Sequence, residues 1–172
     1  MDPELLAVAE RVLDANRIAG RMLVVAESCT GGLVSAALTE IAGASDVFDR
    51  GFVTYSNEAK LDAIGVNQDI LETFGAVSIA VAWAMAQGAL KHSVADTAVA
   101  ITGIAGPGGG TAKKPVGTVV FARAIRGGDP DRVTADVRHF GDLGRSEIRR
   151  QAALVALELL MPEPDTAATA GP

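Results

Sequence analysis

Apolar positions recur along this chain at two spacings, and the points where one gives way to the other predict its elements. Residues 2–17 carry Leu5, Leu6, Ala9, Val12 and Leu13 at helical spacing, with Asp2 as a cap and Pro3 in the first turn. Residues 21–26 (RMLVVA) form a short apolar run with branched side chains, the mark of a buried strand. A second helix is expected over 30–42, turning Leu33, Ala37, Leu38 and Ile41 inward, and a second strand over 47–56, weakened by Gly51. Asn57 is expected to cap a short helix that stops near Gly65, followed by a turn and one or two helical turns over 66–76. Ser78 is expected to cap a long helix over 79–92, and residues 97–102 (TAVAIT) read as a third buried strand. Residues 116–126 and 132–140 read as strands joined by a Gly127-Gly128-Asp129-Pro130 turn, and Ser146 as the cap of a last helix running to 161.

Helices and strands alternate until that closing hairpin. The pattern predicts an α/β fold: a three-layer sandwich around a mixed, mostly parallel sheet of about five strands, as a single domain over 1–161. Residues 162–172, rich in Pro, Ala and Thr, are expected to form a flexible tail. A length of 172 residues is enough for one such domain to bury a real core.

Charge and cysteine usage narrow the chemistry. A net charge of −6 argues against nucleic acid as a partner, though a small phosphorylated ligand needs only a few local cations and amides. Cys29 is the single cysteine, and the two histidines, His92 and His139, stand apart, so a metal centre is poorly supplied and no metal or cofactor is expected. Apolar stretches are broken well before membrane-spanning length and no basic-then-apolar leader opens the chain, which makes a soluble cytoplasmic protein the expectation.

In open α/β sheets, ligands bind beyond the carboxyl ends of the strands. Three such ends carry unusual polar residues: Glu27-Ser28-Cys29-Thr30-Gly31-Gly32, Tyr55-Ser56-Asn57-Glu58-Ala59-Lys60, and Thr102-Gly103-Ile104-Ala105-Gly106-Pro107. If the strands are parallel neighbours, all three loops meet in one crevice. Ser28, between a strand and a helix start, sits where backbone amides welcome developing negative charge, and Gly31 and Gly32 would admit a substrate to those amides. With no well-placed histidine, Lys60 is the leading base, since a lysine shielded from water can lose its proton near neutral pH. Tyr55 could relay protons or hold Lys60 in register.

Plainer roles fit the same residues. Ser28 and Thr30 also suit helix caps, Lys60 a solvated helix face, and Tyr55 a strand end. Cys29 is a rival nucleophile or simple packing. Glu27 could orient Lys60 or cap the helix. The Gly-rich stretch 103–115 matches neither the Walker nor the dinucleotide pattern and serves equally as a ligand clamp or a surface loop. Arg145, Arg149 and Arg150 are anion-binding candidates. The latter two suit a solvated face, and Arg145 alone stands out, just ahead of the expected cap.

Taken together, the motifs AESCTGG at 26–32, GFVTYSNEAK at 51–60, GAVS at 75–78, TGIAGP at 102–107 and KPVGT at 114–118 closely resemble the CinA C-terminal domain family, in the family's order and across nearly the whole chain. That family is similar to stand-alone nicotinamide-nucleotide amidohydrolases, which convert nicotinamide mononucleotide and water to nicotinate mononucleotide and ammonia in pyridine nucleotide salvage. The resemblance implies an α/β/α sandwich assembled as a homo-oligomer. It implies Ser28 as nucleophile with Lys60 and Tyr55 as activating partners, without a metal. It further implies that Thr102 and the following loop, from Gly103, help shape the pocket and that Arg145 contributes to substrate binding; Glu27, Thr30, Gly31 and Gly32 join them as substrate-binding candidates. Amides from Thr30 to Gly32 are expected to hold the oxyanion. The family commonly shows Gly-Asp-Arg ahead of the last helix, whereas this chain has Gly141-Asp142-Leu143-Gly144-Arg145, so Arg145 matches only if the loop bulges.

Three alternatives stay open on the residues alone. A Ser/Tyr/Lys oxidoreductase would want Tyr-x-x-x-Lys on one helix face and a cofactor loop after the first strand. A non-catalytic nucleotide-binding module would use Ser28 only as a cap. A hydrolase of another amide would keep the chemistry and change the substrate.

Overall fold

The computed structural model describes residues 1–164; most of the expected tail therefore lies outside the described residues. In chain order the elements are α1 (Pro3–Ala19), β1 (Leu23–Glu27), α2 (Leu33–Thr39), a 3₁₀ turn (Ala44–Asp46), β2 (Phe48–Val53), α3 (Asn57–Ile64), α4 (Gln68–Phe74), α5 (Ile79–Lys91), β3 (Thr97–Gly103), β4 (Thr118–Ile125), β5 (Ala135–His139) and α6 (Arg145–Leu159). The sheet order is β2-β1-β3-β4-β5. β1 pairs in parallel with both β2 and β3, while β4 runs antiparallel to β3 and to β5, so β4 alone opposes the other four strands. This is the expected mixed, mostly parallel α/β sandwich, closing hairpin included.

Side-chain alternation builds the two halves of the core. Leu23 and Val25 of β1, Val99 and Ile101 of β3, and Val119 and Phe121 of β4 face a layer made by α1, α2 and α6. Val24, Ala26, Ala98, Ala100, Val120, Ala122 and Ala124 face the opposite layer, where α5 contributes Val81, Ala82, Met85, Ala86 and Ala89. Both faces of β1 and β3 are covered, which is why these strands read as unbroken apolar runs. Alanine dominates the second face, so α5 seats close to the sheet.

Several boundaries differ from the expectation for local reasons. The helix expected over 30–42 begins only at Leu33, because Gly31 and Gly32 take left-handed φ values of 59° and 96° and form a turn ahead of it. Ser56, not Asn57, caps α3 by accepting from the Ala59 amide. Ser146 lies inside α6, whose cap is Gly144 without any side-chain bond. Ser78 caps α5 as expected, accepting from the Val81 amide. Gly51 is required by packing, since a Cβ there would fall 2.1 Å from the Ser35 hydroxyl. Just past α6, Arg123 donates to the Glu163 carboxylate at 2.6 Å and to the Met161 carbonyl at 3.2 Å, tying the start of the expected tail to β4.

Candidate active site

The sheet order makes the carboxyl end of β1 a switch point, because the chain leaves β1 for β2 on one side and later enters β3 on the other. The Ser28 amide extends the β1–β3 ladder by donating to the Ile101 carbonyl at 2.9 Å, and the Thr54 amide does the same on the other side to the Glu27 carbonyl at 2.8 Å. The three polar strand ends therefore converge as expected. They line a cleft of about 290 Å³ with Ser28, Cys29, Tyr55, Lys60, Thr102, Gly103 and Arg145 on its walls.

Lys60 projects from α3 into this cleft and is only 1% exposed, among the most deeply buried large side chains of the molecule. Its Nζ lies 3.1 Å from Ser28 Oγ, 2.8 Å from the Thr54 carbonyl and 3.5 Å from the Ser56 carbonyl. No carboxylate is among these partners. Burial removes water from the ammonium without supplying a counter-charge, and the Lys60 pKa falls below the usual lysine value for that reason. The plainer reading of Lys60 as a solvated helix residue is thereby excluded.

Tyr55 takes a different place from either role weighed for it. It is 61% exposed, and its hydroxyl accepts from Arg145 at 2.9 Å, with no hydrogen bond to Lys60. Lys60 reaches Ser28 directly. Tyr55 also precedes α3, so the two residues do not share a helix face in the Tyr-x-x-x-Lys manner of the oxidoreductase alternative. Arg145 donates besides to the Gly106 carbonyl at 2.8 Å. Gly141 and Gly144 take positive φ values in the loop ahead of α6, and Arg145 at its end lines the cleft.

The other expected pocket residues divide sharply. Glu27 is fully buried, and its carboxylate accepts from the amides of Gly32, Val34 and Ser35 and from the Ser35 hydroxyl, capping the start of α2. Of its two possible roles it performs the capping one. The amides of Gly31 and Gly32, expected for an oxyanion, are already engaged, Gly31 with the Ser28 carbonyl and Gly32 with Glu27. The amides of Cys29 and Thr30 donate to no other residue among those described. Thr30 is itself fully buried, with its hydroxyl unpartnered. Thr102 donates its hydroxyl to the Ala76 carbonyl at 2.8 Å, fastening the 76–77 wall to β3. Gly103 lines the cleft where a Cβ would strike Val119 at 2.8 Å. Cys29 is 5% exposed, and burial pushes its thiol up to about 11, which disfavours it as the nucleophile.

Sequence reasoning undervalued Arg149. It donates to the Cys29 carbonyl at 3.1 Å and the Thr30 carbonyl at 2.9 Å, under the turn that carries Ser28. Its signal was its position four residues after Arg145, one helical turn along the same face. Arg150 instead pairs with Asp2 and Glu4 at the start of α1 and with Glu147 of its own helix. The carbonyls of Thr54 and Ser56, which hold Lys60, carry no sequence signal, since every residue has one.

A larger depression of about 520 Å³ lies elsewhere, lined by Ile64, Lys91, His92 and Arg126 among others, and it holds no paired nucleophile and base. Its Arg126 guanidinium is engaged with the carbonyls of Leu90, Ser93 and Ala95. Among the described residues, no three His, Cys, Asp or Glu side chains gather as a metal site, and no helix is long and apolar enough to cross a membrane.

Comparison with known proteins agrees on one family. The model of the CinA C-terminal domain matches residues 5–163. The nicotinamide-nucleotide amidohydrolase PncC of Escherichia coli K12 is 50% identical over 159 residues, covering 92% of this chain and 94% of that one. A CinA-like protein of Mycolicibacterium vanbaalenii is 53% identical over 146 residues, which are 85% of this chain and 34% of that longer one. Among solved structures, the competence/damage inducible protein CihA of Agrobacterium tumefaciens superposes with a TM-score of 0.88 at 51% identity, covering 93% of this chain and 95% of that one.

Proposed function

The chain belongs to the CinA C-terminal domain family, and from that membership and the Ser28–Lys60 pair we propose that it is an amidohydrolase converting nicotinamide mononucleotide and water to nicotinate mononucleotide and ammonia. The observation that carries the chemistry is a buried lysine amine 3.1 Å from a serine hydroxyl, with no carboxylate among its hydrogen-bond partners in the described residues.

As an ammonium Lys60 Nζ donates to Ser28 Oγ and to the carbonyls of Thr54 and Ser56; burial, which lowers its pKa, favours the neutral form that can serve as base. Ser28 Oγ attacks the carboxamide carbon while its proton passes to Lys60 Nζ. The carbonyl oxygen becomes an oxyanion, received by amides of the turn after Ser28; losing one such donor costs about 3 kcal/mol of barrier. Lys60 returns the proton to the departing nitrogen, the C–N bond breaks, and ammonia leaves an ester on Ser28. Water then attacks that ester, giving a proton to Lys60 that is handed back to Ser28 Oγ as the ester C–O bond breaks, and the acid formed loses its remaining proton to solvent to leave the carboxylate.

Arg145, held at the cleft mouth by Tyr55 and Gly106, is the cation suited to the substrate's 5′-phosphate. In this reading Tyr55 orients Arg145 and relays no proton. The reaction belongs to pyridine nucleotide salvage.

The test is direct. The purified chain, incubated with nicotinamide mononucleotide and excess chelator, should release ammonia, and Ser28→Ala should release none. Equal release by both proteins, or none by the unaltered chain, would overturn the proposal.

A further inference from the structure

We propose that Arg149 is a positioning residue for the nucleophile turn, fixing which way the amides of Cys29 and Thr30 face, and that these two amides are the donors to the oxyanion. The inference rests on the serine-nucleophile reading above.

The argument is one of peptide geometry. In a trans peptide the C=O and the following N–H point to opposite sides, and the only cis bond among the described residues is Gly106–Pro107. Arg149 Nε draws the Cys29 carbonyl to itself, so the Thr30 N–H is turned away from Arg149. Arg149 also draws the Thr30 carbonyl, so the Gly31 N–H is turned away as well, and it donates to the Ser28 carbonyl at 3.1 Å. That bond fixes the Ser28 carbonyl and, across the same peptide, the Cys29 N–H. One guanidinium thus determines both amides that donate to no other residue among those described. Neither belongs to a regular element that would otherwise hold it.

The turn is held from its far side too. Glu27 accepts from Gly32, Val34 and Ser35, so the chain just beyond Thr30 cannot rotate to follow a displaced carbonyl. Arg149 is itself anchored by its helix, whose neighbours Ile148 and Ala152 are fully buried against the sheet. Lysine could not substitute: it offers a point charge, whereas two carbonyls at a fixed spacing match the planar fork of arginine.

Arg149→Lys and Arg149→Gly test this. Ammonia release from nicotinamide mononucleotide should lose kcat on the order of 10²-fold, the scale set by a misplacement near 1 Å, while KM moves by less than about threefold because Arg149 touches no substrate. Guanidinium chloride at low millimolar concentration should raise kcat of Arg149→Gly, and sodium chloride at equal ionic strength should not. In parallel, the rate at which a fluorophosphonate labels Ser28, followed by intact mass, should fall in both variants, since that reaction also develops a phosphonyl oxyanion. Variants with unchanged kcat and labelling rate, or with an equal rise in KM and fall in melting temperature without guanidinium rescue, would overturn the assignment. If the unaltered chain releases no ammonia but labels in an Arg149-dependent way, the substrate reading fails and the positioning role stands. A chain inert to both reagents overturns both.

Discussion

The Tyr55 hydroxyl accepts a hydrogen bond from Arg145 at 2.9 Å, joining residues 90 apart in the chain across the mouth of the cleft. Tyr55→Phe removes that bond while leaving Arg145 on the Gly106 carbonyl. One such bond is worth about 1 kcal/mol, so KM for nicotinamide mononucleotide should rise roughly fivefold with kcat nearly unchanged. A fall in kcat beyond about 10²-fold would instead make Tyr55 a proton carrier. Steady-state kinetics on the single variant separates the two.

Lys60 must be uncharged to take the Ser28 proton. Activity should therefore climb with pH through the lowered lysine pKa and then level off, giving a basic-limb plateau and not a bell. Lys60→Arg should lose turnover throughout, because a guanidinium stays charged. A pH–rate profile of kcat/KM, with Lys60→Arg alongside, checks both.

The same burial has a stability consequence. Below its folded pKa the charged lysine is held in the dry cleft at full cost. Between the folded value and the unfolded 10.5, the unfolded chain binds more protons than the native one, so this contribution to stability rises with pH. Lys60→Met, which carries no charge into the cleft, should be at least as stable as the unaltered protein near neutral pH and inactive. Its advantage in melting temperature should shrink steadily as pH is raised toward 10.5.

Glu27→Gln keeps the shape of the cap but turns an N–H donor toward buried amides that need an acceptor. A loss of about 2 kcal/mol is expected, read as a lower urea midpoint with unchanged m-value. A Glu27→Gln protein of unaltered stability would return Glu27 to a direct role with substrate.

Gly88 lies mid-helix in α5, where alanine would ordinarily help by about 1 kcal/mol. Here a Cβ would sit 2.0 Å from the Ile64 carbonyl of α3. Gly88→Ala should thus destabilise by about 1–3 kcal/mol as α3 is pushed off α5. Because Ile64 is one helical turn past Lys60, ammonia release should fall with it. Urea unfolding and kinetics on the same variant check the coupling.

The sequence by itself determined a good deal. Two periodicities separated helices from strands, and the unbroken apolar runs at 23–26 and 98–101 marked the strands covered on both faces. Three polar strand ends named nearly every side chain that lines the cleft. Those inferences held because they depend on local spacing and on what burial does to composition. Helix starts failed where a left-handed glycine or an unsignalled cap decided the boundary, as at Gly32 and Gly144. Only the tertiary structure decided which group each side chain meets. It gave Lys60 to Ser28, Tyr55 to Arg145, Glu27 to the α2 amides and Arg149 to the carbonyls beneath the nucleophile turn. The physical reason is that hydrogen-bond partners here are distant in sequence and are often backbone carbonyls and amides. Every residue supplies those alike, so their positions follow from sheet order and helix packing rather than from residue identity.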